Sequence, residues 1–311
     1  MFIELIQFIH SLPFHIAQGM IWGIMAIGVY ITYRVLDVAD LTVDGSLVTG
    51  GAVLAVLIVN GVNVYIAMLA AFGAGCLAGL VTGLLHTKFG IPAILAGILT
   101  QLALYPTNLM IMGGMANTSI NSRKYDLIVS GNINTITRTI IVILIIIAIT
   151  IALLYYFFGT ELGHSIRATG TNQAMARANG INTDSRKIIG LVLSNGIVAL
   201  SGGLLAQFSG SCDINMGRGA IVIGLAAVII GEVLLSRLFK NFALKLLTCI
   251  IGGVIYFIAV AIVLNLGLDT NYLKMFQAAV VAVFLGIPFW KAKYAGKFKR
   301  SAKSEGGAQD A

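Results

Sequence analysis

Apolar runs of about 20 residues recur along this chain, and that one feature excludes most folds. As a helix, a run of that length crosses the roughly 30 Å hydrocarbon core of a bilayer. The runs fall at 13–33, 45–60, 64–85, 91–113, 139–159, 188–209, 219–235, 242–266 and 275–290. They predict an all-α membrane protein with about nine transmembrane helices, of which 45–60 and 219–235 are short. Composition agrees: only 10% of the 311 residues are charged, against roughly 25% in soluble domains. The 36 glycines and 4 prolines suit membrane helices that approach one another closely. Cys76, Cys212 and Cys249 lie far apart in apolar surroundings and read as packing residues, without metal-ligand spacing. The first run is long for a signal peptide and lacks a basic lead and a small-residue cleavage site, so it reads as a retained span.

Lys and Arg placement sets the expected orientation. With the C-terminus inside, Arg34, Lys88, Arg167, Arg177, Arg186, Lys187, Arg237, Lys240, Lys245 and the basic residues from Lys291 to Lys303 are all cytoplasmic. Only Arg123, Lys124, Arg138, Arg218 and Lys274 fall outside, which is the bias of the positive-inside rule. The N-terminus is then outside, 160–187 is cytoplasmic and 114–138 is an external loop. Residues 1–290 form the expected membrane domain, and 291–311 a basic, solvated tail. The formal charge of +8 thus reports orientation and no nucleic-acid partner.

Two segments share a pattern. Asp40–Ala55 and Asp213–Ala227 each begin with an Asp, pass through a polar, Gly-containing turn, and enter an apolar helix with an early glycine, Gly51 or Gly224. In the expected topology they run in opposite directions, as in the inverted repeats of transporters. Irregular backbone at membrane depth is tolerated only against protein or a water-filled path. Asp40, Asp44, Gly51, Asp213 and Gly224 are therefore the pathway candidates. Asp37, at the head of the same acidic cluster, suits the cytoplasmic interface, paired with Arg34. Asp40 and Asp44 fit either a pathway or that interface, where Asp44 would cap the next helix. Glu232, one turn before Arg237, suits pairing with that residue or a neighbouring basic group, and is a candidate cytoplasmic gate. Trp22, Tyr105, Phe208 and Tyr256 could line an aromatic-tolerant path, although aromatics in spans more often pack or mark interfaces.

Between two apolar runs sits a polar, alanine-rich island, Gly163–Asn182. Ser165 or Thr171 can cap a short helix over 173–179, Gly180 can end it in a left-handed conformation, and Thr183–Asp184 can cap the next span. Ala174 and Ala178, at i and i+4, offer a small-residue face to a partner. A helix of two turns needs tertiary support. A secondary transporter or channel would explain the spans but give this island no task. A membrane enzyme is excluded more firmly: His10, His15, His86 and His164 are scattered and no HExxH occurs.

The string GHSIRATGTNQAMARANGIN at 163–182 resembles the coupling segment of permeases of branched-chain-amino-acid-type ABC importers. Leu191–Gln207, Asp40–Gly51 and Gly219–Glu232 are similar to the same family, so the resemblance covers about 15–290 and points to its subgroup of tryptophan-type and otherwise uncharacterised importers. It implies a coupling helix seated in a cytoplasmic ATPase, with Arg167, Gly170, Asn172, Ala174, Ala176, Arg177 and Gly180 carrying the contact. It also implies an external substrate-binding protein, docked at 114–138 near Asn117, Asn121, Arg123, Lys124 and Asp126, and a second permease copy. The expected cargo is a small, amino-acid-like solute, aromatic in one version. No GxxxxGK[ST] occurs, so ATP and Mg would be bound by another chain and this one needs no cofactor.

Overall fold

The computed structural model describes residues 2–121, 125–132, 135–235 and 241–265, with isolated positions between 275 and 286. Arg123, Lys124, Arg237, Lys240, Lys274, most of the 275–290 run and the 291–311 tail lie outside the described residues. Ten α-helices and two three-residue strands occur among those described. Helix α1 (Phe2–Tyr30) continues into a π-turn (Ile31–Val35), followed by α2 (Val43–Val59), α3 (Val64–Thr87) and α4 (Ala93–Ile111). Strand β1 (Asn117–Ser119), α5 (Ile136–Phe158), α6 (Glu161–Thr171), α7 (Gln173–Ala178) and α8 (Thr183–Ser209) come next. Strand β2 (Ser211–Asp213), α9 (Ala220–Leu235) and α10 (Phe242–Asn265) complete the order.

Six of these helices are long and apolar enough to cross a membrane, with α1 and its π-turn counted together. The expected runs 45–60 and 219–235 are α2 and α9, shorter apolar helices of 17 and 16 residues.

Two sets of closely packed helices share one continuous core. One joins α2, α3 and α8; the other joins α1, α9 and α10; α1 also packs on α8. Close approach depends on glycine. A Cβ on Gly75, Gly79 or Gly83, one face of α3, would meet the α8 backbone at Asn195, Leu191 or Ile188. Gly19 and Gly23 bring α1 equally close to Val254 and Ile250 of α10. Lipid supplies no hydrophobic drive between helices, so close van der Waals contact of this kind is what joins them.

Two helices stay on the outside of this core for different reasons. Helix α5 has a mean hydropathy of 3.0 and only 22% of it is buried, which is what a lipid-facing surface requires. Helix α4 is equally exposed but has a mean hydropathy of 1.5, and it carries Gln101, Tyr105, Thr107 and Asn108.

At one end of the bundle β1 pairs antiparallel with β2, Asn117 opposite Asp213. This ties the segment after α4 to the end of α8. At the other end α6 and α7 link α5 to α8, and α6 lies against the π-turn.

Candidate functional site

The polar island folds into two short helices in place of the single one expected. Thr160 caps α6, its hydroxyl accepting from Gly163 N–H at 3.3 Å. Asn172 caps α7 by accepting from Met175 N–H at 3.0 Å, and Asn182 caps α8 by accepting from Ser185 N–H at 3.2 Å. Ser165 and Thr171 instead bond back to carbonyls within α6, and Thr183 is already helical. An Asn side-chain oxygen reaches the first free N–H groups without leaving extended backbone, so it takes the cap from a neighbouring Thr. Gly180 ends the segment at φ +76°, as its lack of a Cβ permits.

One face of the island is fastened to the bundle. Ile166 and Thr169 are fully buried, and Gly170 lies so close to the Val35 carbonyl and Leu36 that a Cβ has no room. The Arg167 guanidinium sits 5.2 Å from the ring centre of Phe242 on α10, within cation–π range. Arg177 donates from Nε to Thr183 Oγ1 at 2.8 Å and approaches Asp184 at 3.6 Å. Ala176 is buried, so it packs inward and offers no surface to a partner. Ala174, Met175 and Ala178 point out.

The π-turn against which Gly170 rests carries the Arg34 side chain. Arg34 donates to Glu232 of α9 from Nε to Oε1 at 2.9 Å and to Oε2 at 3.1 Å, and from Nη2 to Oε2 at 2.6 Å. The expected Arg34–Asp37 pair is therefore replaced by a fork that joins α1 to α9. Asp37 is exposed and turns the chain with φ 55°, a conformation Asp tolerates better than most residues.

After that turn the chain runs back into the bundle. Asp40 is 3% exposed. Its carboxylate accepts from Thr42 N–H at 2.9 Å and from Asn195 Nδ2 at 2.7 Å. Asn195 lies twelve residues into α8, about 18 Å along its axis at 1.5 Å per residue, so the buried Asp40 carboxylate meets the middle of that helix. Ser46 donates to Asn195 Oδ1 at 2.6 Å, and the hydroxyls of Thr42, Thr82 and Thr100 form a chain with 2.7 and 2.9 Å steps. Within the irregular stretch 36–42 the backbone is paired locally, Leu36 and Val38 N–H with the Ile31 and Thr32 carbonyls and Thr42 N–H with Asp40, while side chains of α3, α4 and α8 engage the Thr42 and Asp40 side chains.

Asp44 does not cap its own helix. Its oxygens accept from Gly219 N–H at 3.0 Å and Ile221 N–H at 2.8 Å, capping α9 from the first turn of α2. The two short helices thus meet N-terminus to N-terminus. Gly51 faces Met216 and Cys212, and Gly224 faces Met25 and Val29 of α1. Asp213 accepts from Asn215 N–H at 2.7 Å and shapes the turn before α9. Beside Asp44 a half-open cavity of about 300 Å³ is lined by Gln101, Tyr105, Asn108 and Arg218, among others. Of the four aromatics, Trp22, Phe208 and Tyr256 are buried, while Tyr105 is 46% exposed at this cavity.

A comparison with known proteins matches residues 12–293 to the model of a family described as the permease component of branched-chain amino acid transport systems. The chain belongs to that permease family. The permease is 42% identical over 270 residues to the tyrosine transport system permease protein of Clostridioides difficile, covering 86% of this chain and 88% of that one. It is 35% identical to the uncharacterized protein RP368 of Rickettsia prowazekii, over 86% and 94% of the two chains. The ribose import permease of Escherichia coli K12 is 28% identical, over 69% and 66%. The permease is therefore a transport subunit and a multi-pass protein of the inner membrane.

Within the permease, the pathway candidates do not form one cluster. Asp40 belongs to a buried strut with Asn195, whereas Asp44 joins α2 to α9 and borders the cavity. Sequence reasoning did not single out Asn195, Gln101, Asn108 or Arg218 as site residues. Asn195 had a signal, an amide in the middle of an otherwise apolar span. Gln101 and Asn108, seven residues apart on α4, share one face, a spacing that could also have been read.

Proposed function

We propose that this permease takes up a small amino acid, of the aromatic class, driven by ATP hydrolysis on partner ATPases and supplied by an external binding protein. The observation that carries the coupling role is the island's two-sidedness. Its inner face rests on the π-turn of α1 and on Phe242 of α10 through Gly170 and Arg167, while Ala174, Met175 and Ala178 stay uncovered. A small, exposed face suits a shallow groove on an ATPase. The residues behind it would pass a push to α1, and through Arg34–Glu232 to α9. In this reading Asn172 and Gly180 shape α7, Arg177 ties it to α8, and Glu232 gates the cytoplasmic end.

In the same reading the α6–α7 end faces the cytoplasm, with the N-terminus outside and the C-terminus inside. The β1–β2 end then faces the binding protein. The α4 surface supports a second permease copy. The half-buried Gln101 and the exposed Tyr105 would be costly against lipid but suit a water-filled path between two copies. An inverted repeat of α1–α3 and α8–α10 is supported by the helix lengths, long–short–long in each, and by the meeting of α2 and α9. The tyrosine transport permease among the relatives favours an aromatic amino acid.

The test is ATP-dependent uptake of labelled tyrosine by proteoliposomes holding the permease, its ATPase and its binding protein. Uptake that needs all three is expected. Uptake by the permease alone, driven by an ion gradient, would replace this reading with a secondary transporter.

A further inference from the structure

We propose that the cavity between α2, α4 and the turn before α9 recognises both charged ends of a free amino acid. Arg218 holds the α-carboxylate, Asn108 and Asp44 hold the α-ammonium, and Tyr105 receives a ring side chain. The proposal rests on the importer reading above and adds to it a selective site within the permease itself.

The cavity's unpaired groups carry the argument. Asn108 is 1% exposed, and its Nδ2 donates to Gly45 O at 3.4 Å, which orients the amide. Its Oδ1 has no hydrogen-bond partner among the described residues. A buried acceptor without a donor is costly, and a cationic donor arriving in the cavity removes that cost.

Arg218 borders the same space, and no carboxylate among the described residues pairs with its side chain. Asp44 accepts from the N–H groups of Gly219 and Ile221, with that of Ala220 beside them. A carboxylate has about four acceptor sites, so it can still receive an ammonium. Arg218 precedes Gly219, which is bonded to Asp44, and Asn108 is bonded to Gly45. Arg218, Asp44 and Asn108 are therefore gathered around one short backbone junction at the cavity.

A zwitterion matches this pattern, because each end finds a partner and no net charge enters the membrane. A neutral sugar would leave Arg218 and Asp44 unanswered, and a simple cation or anion would satisfy one of them only. A volume of about 300 Å³ lies at the small end of ligand pockets and admits a ring-bearing amino acid. Tyr105, 46% exposed, gives that ring a partner at the open side.

The experiment measures binding to the purified permease of three probes: tyrosine, tyramine (no carboxylate) and 3-(4-hydroxyphenyl)propionate (no ammonium). Each analogue is expected to bind at least tenfold more weakly than tyrosine. Arg218→Gln should lower tyrosine affinity at least tenfold, down to that of tyramine, and leave tyramine unchanged. Asn108→Leu should shrink the preference for tyrosine over the propionate several-fold, Asp44 supplying what remains. If Arg218→Gln does not assemble, Arg218→Lys is read instead, with a smaller loss expected because it keeps the charge but not the fork.

Equal binding of the three probes to the unaltered permease, or unchanged tyrosine affinity in both variants, would overturn the proposal. Uptake separates it from the reading beneath it. An intact complex that imports tyrosine while the variants import it equally well removes the site and leaves the importer. An intact complex that imports no amino acid removes both.

Discussion

Gly170→Ala tests whether the island pushes on α1, because two effects of known sign oppose each other there. Replacing a helical glycine with alanine usually stabilises by about 0.5–1 kcal/mol, through lost freedom in the unfolded chain. At Gly170 the new methyl would overlap the Val35 carbonyl and the Leu36 backbone. Backbone atoms cannot rotate away as a side chain can, and overpacking of this kind costs about 1–3 kcal/mol. The expected net result is a loss of about 0.5–2 kcal/mol, relieved by α6 lifting from the π-turn. The Arg167–Phe242 contact on the same short helix should open with it. ATP-driven uptake should therefore fall several-fold while the ATPase still binds. Gly73→Ala is the control, since a Cβ there meets no atom within 4 Å; it should be neutral or stabilising. Thermal unfolding and uptake are measured side by side. A Gly170→Ala variant that is stabilised like Gly73→Ala and transports normally would refute the contact and the route built on it.

Ala174→Glu, on the exposed side of α7, should reduce co-purification with the ATPase and uptake at least tenfold without lowering the unfolding temperature. For the Arg34–Glu232 fork, whose side chains are 52% and 26% exposed, Glu232→Gln should cost no more than about 1 kcal/mol of stability. The swapped pair Arg34→Glu with Glu232→Arg should restore uptake lost in either single variant, as a double-mutant cycle would reveal. Asp40→Leu should destabilise by about 2–4 kcal/mol, because it removes the acceptor of Thr42 N–H and of Asn195. Asp40→Asn should be milder, as a thermal melt would record. A cysteine at position 40 should resist a bulky, polar thiol reagent applied from either side of the membrane.

Much of the architecture was legible because bilayer physics is coarse. An apolar run of 16–25 residues has few alternatives to a helix, so eight expected runs coincide with α1–α5 and α8–α10. The island was legible as a polar insertion between two such runs. Its first helix, α6, was missed because its burial rests on only Gly163, Ile166 and Thr169, which imitate a solvated loop when read alone. Its caps were assigned to the wrong hydroxyls because Thr160, Ser165, Thr171, Asn172 and Asn182 are all competent. Only their position relative to a free N–H distinguishes them.

By itself, then, the chain determined that it is a bundle of apolar helices with a small-faced polar insertion. Helix formation and burial follow from local composition once the solvent is a bilayer. Tertiary structure alone decided the partners: Arg34 with Glu232 across 198 positions, Asp44 with the start of α9, and Asp40 with Asn195. A carboxylate's attraction reaches only a few ångströms, and which group stands within that reach depends on how glycine faces bring distant helices together.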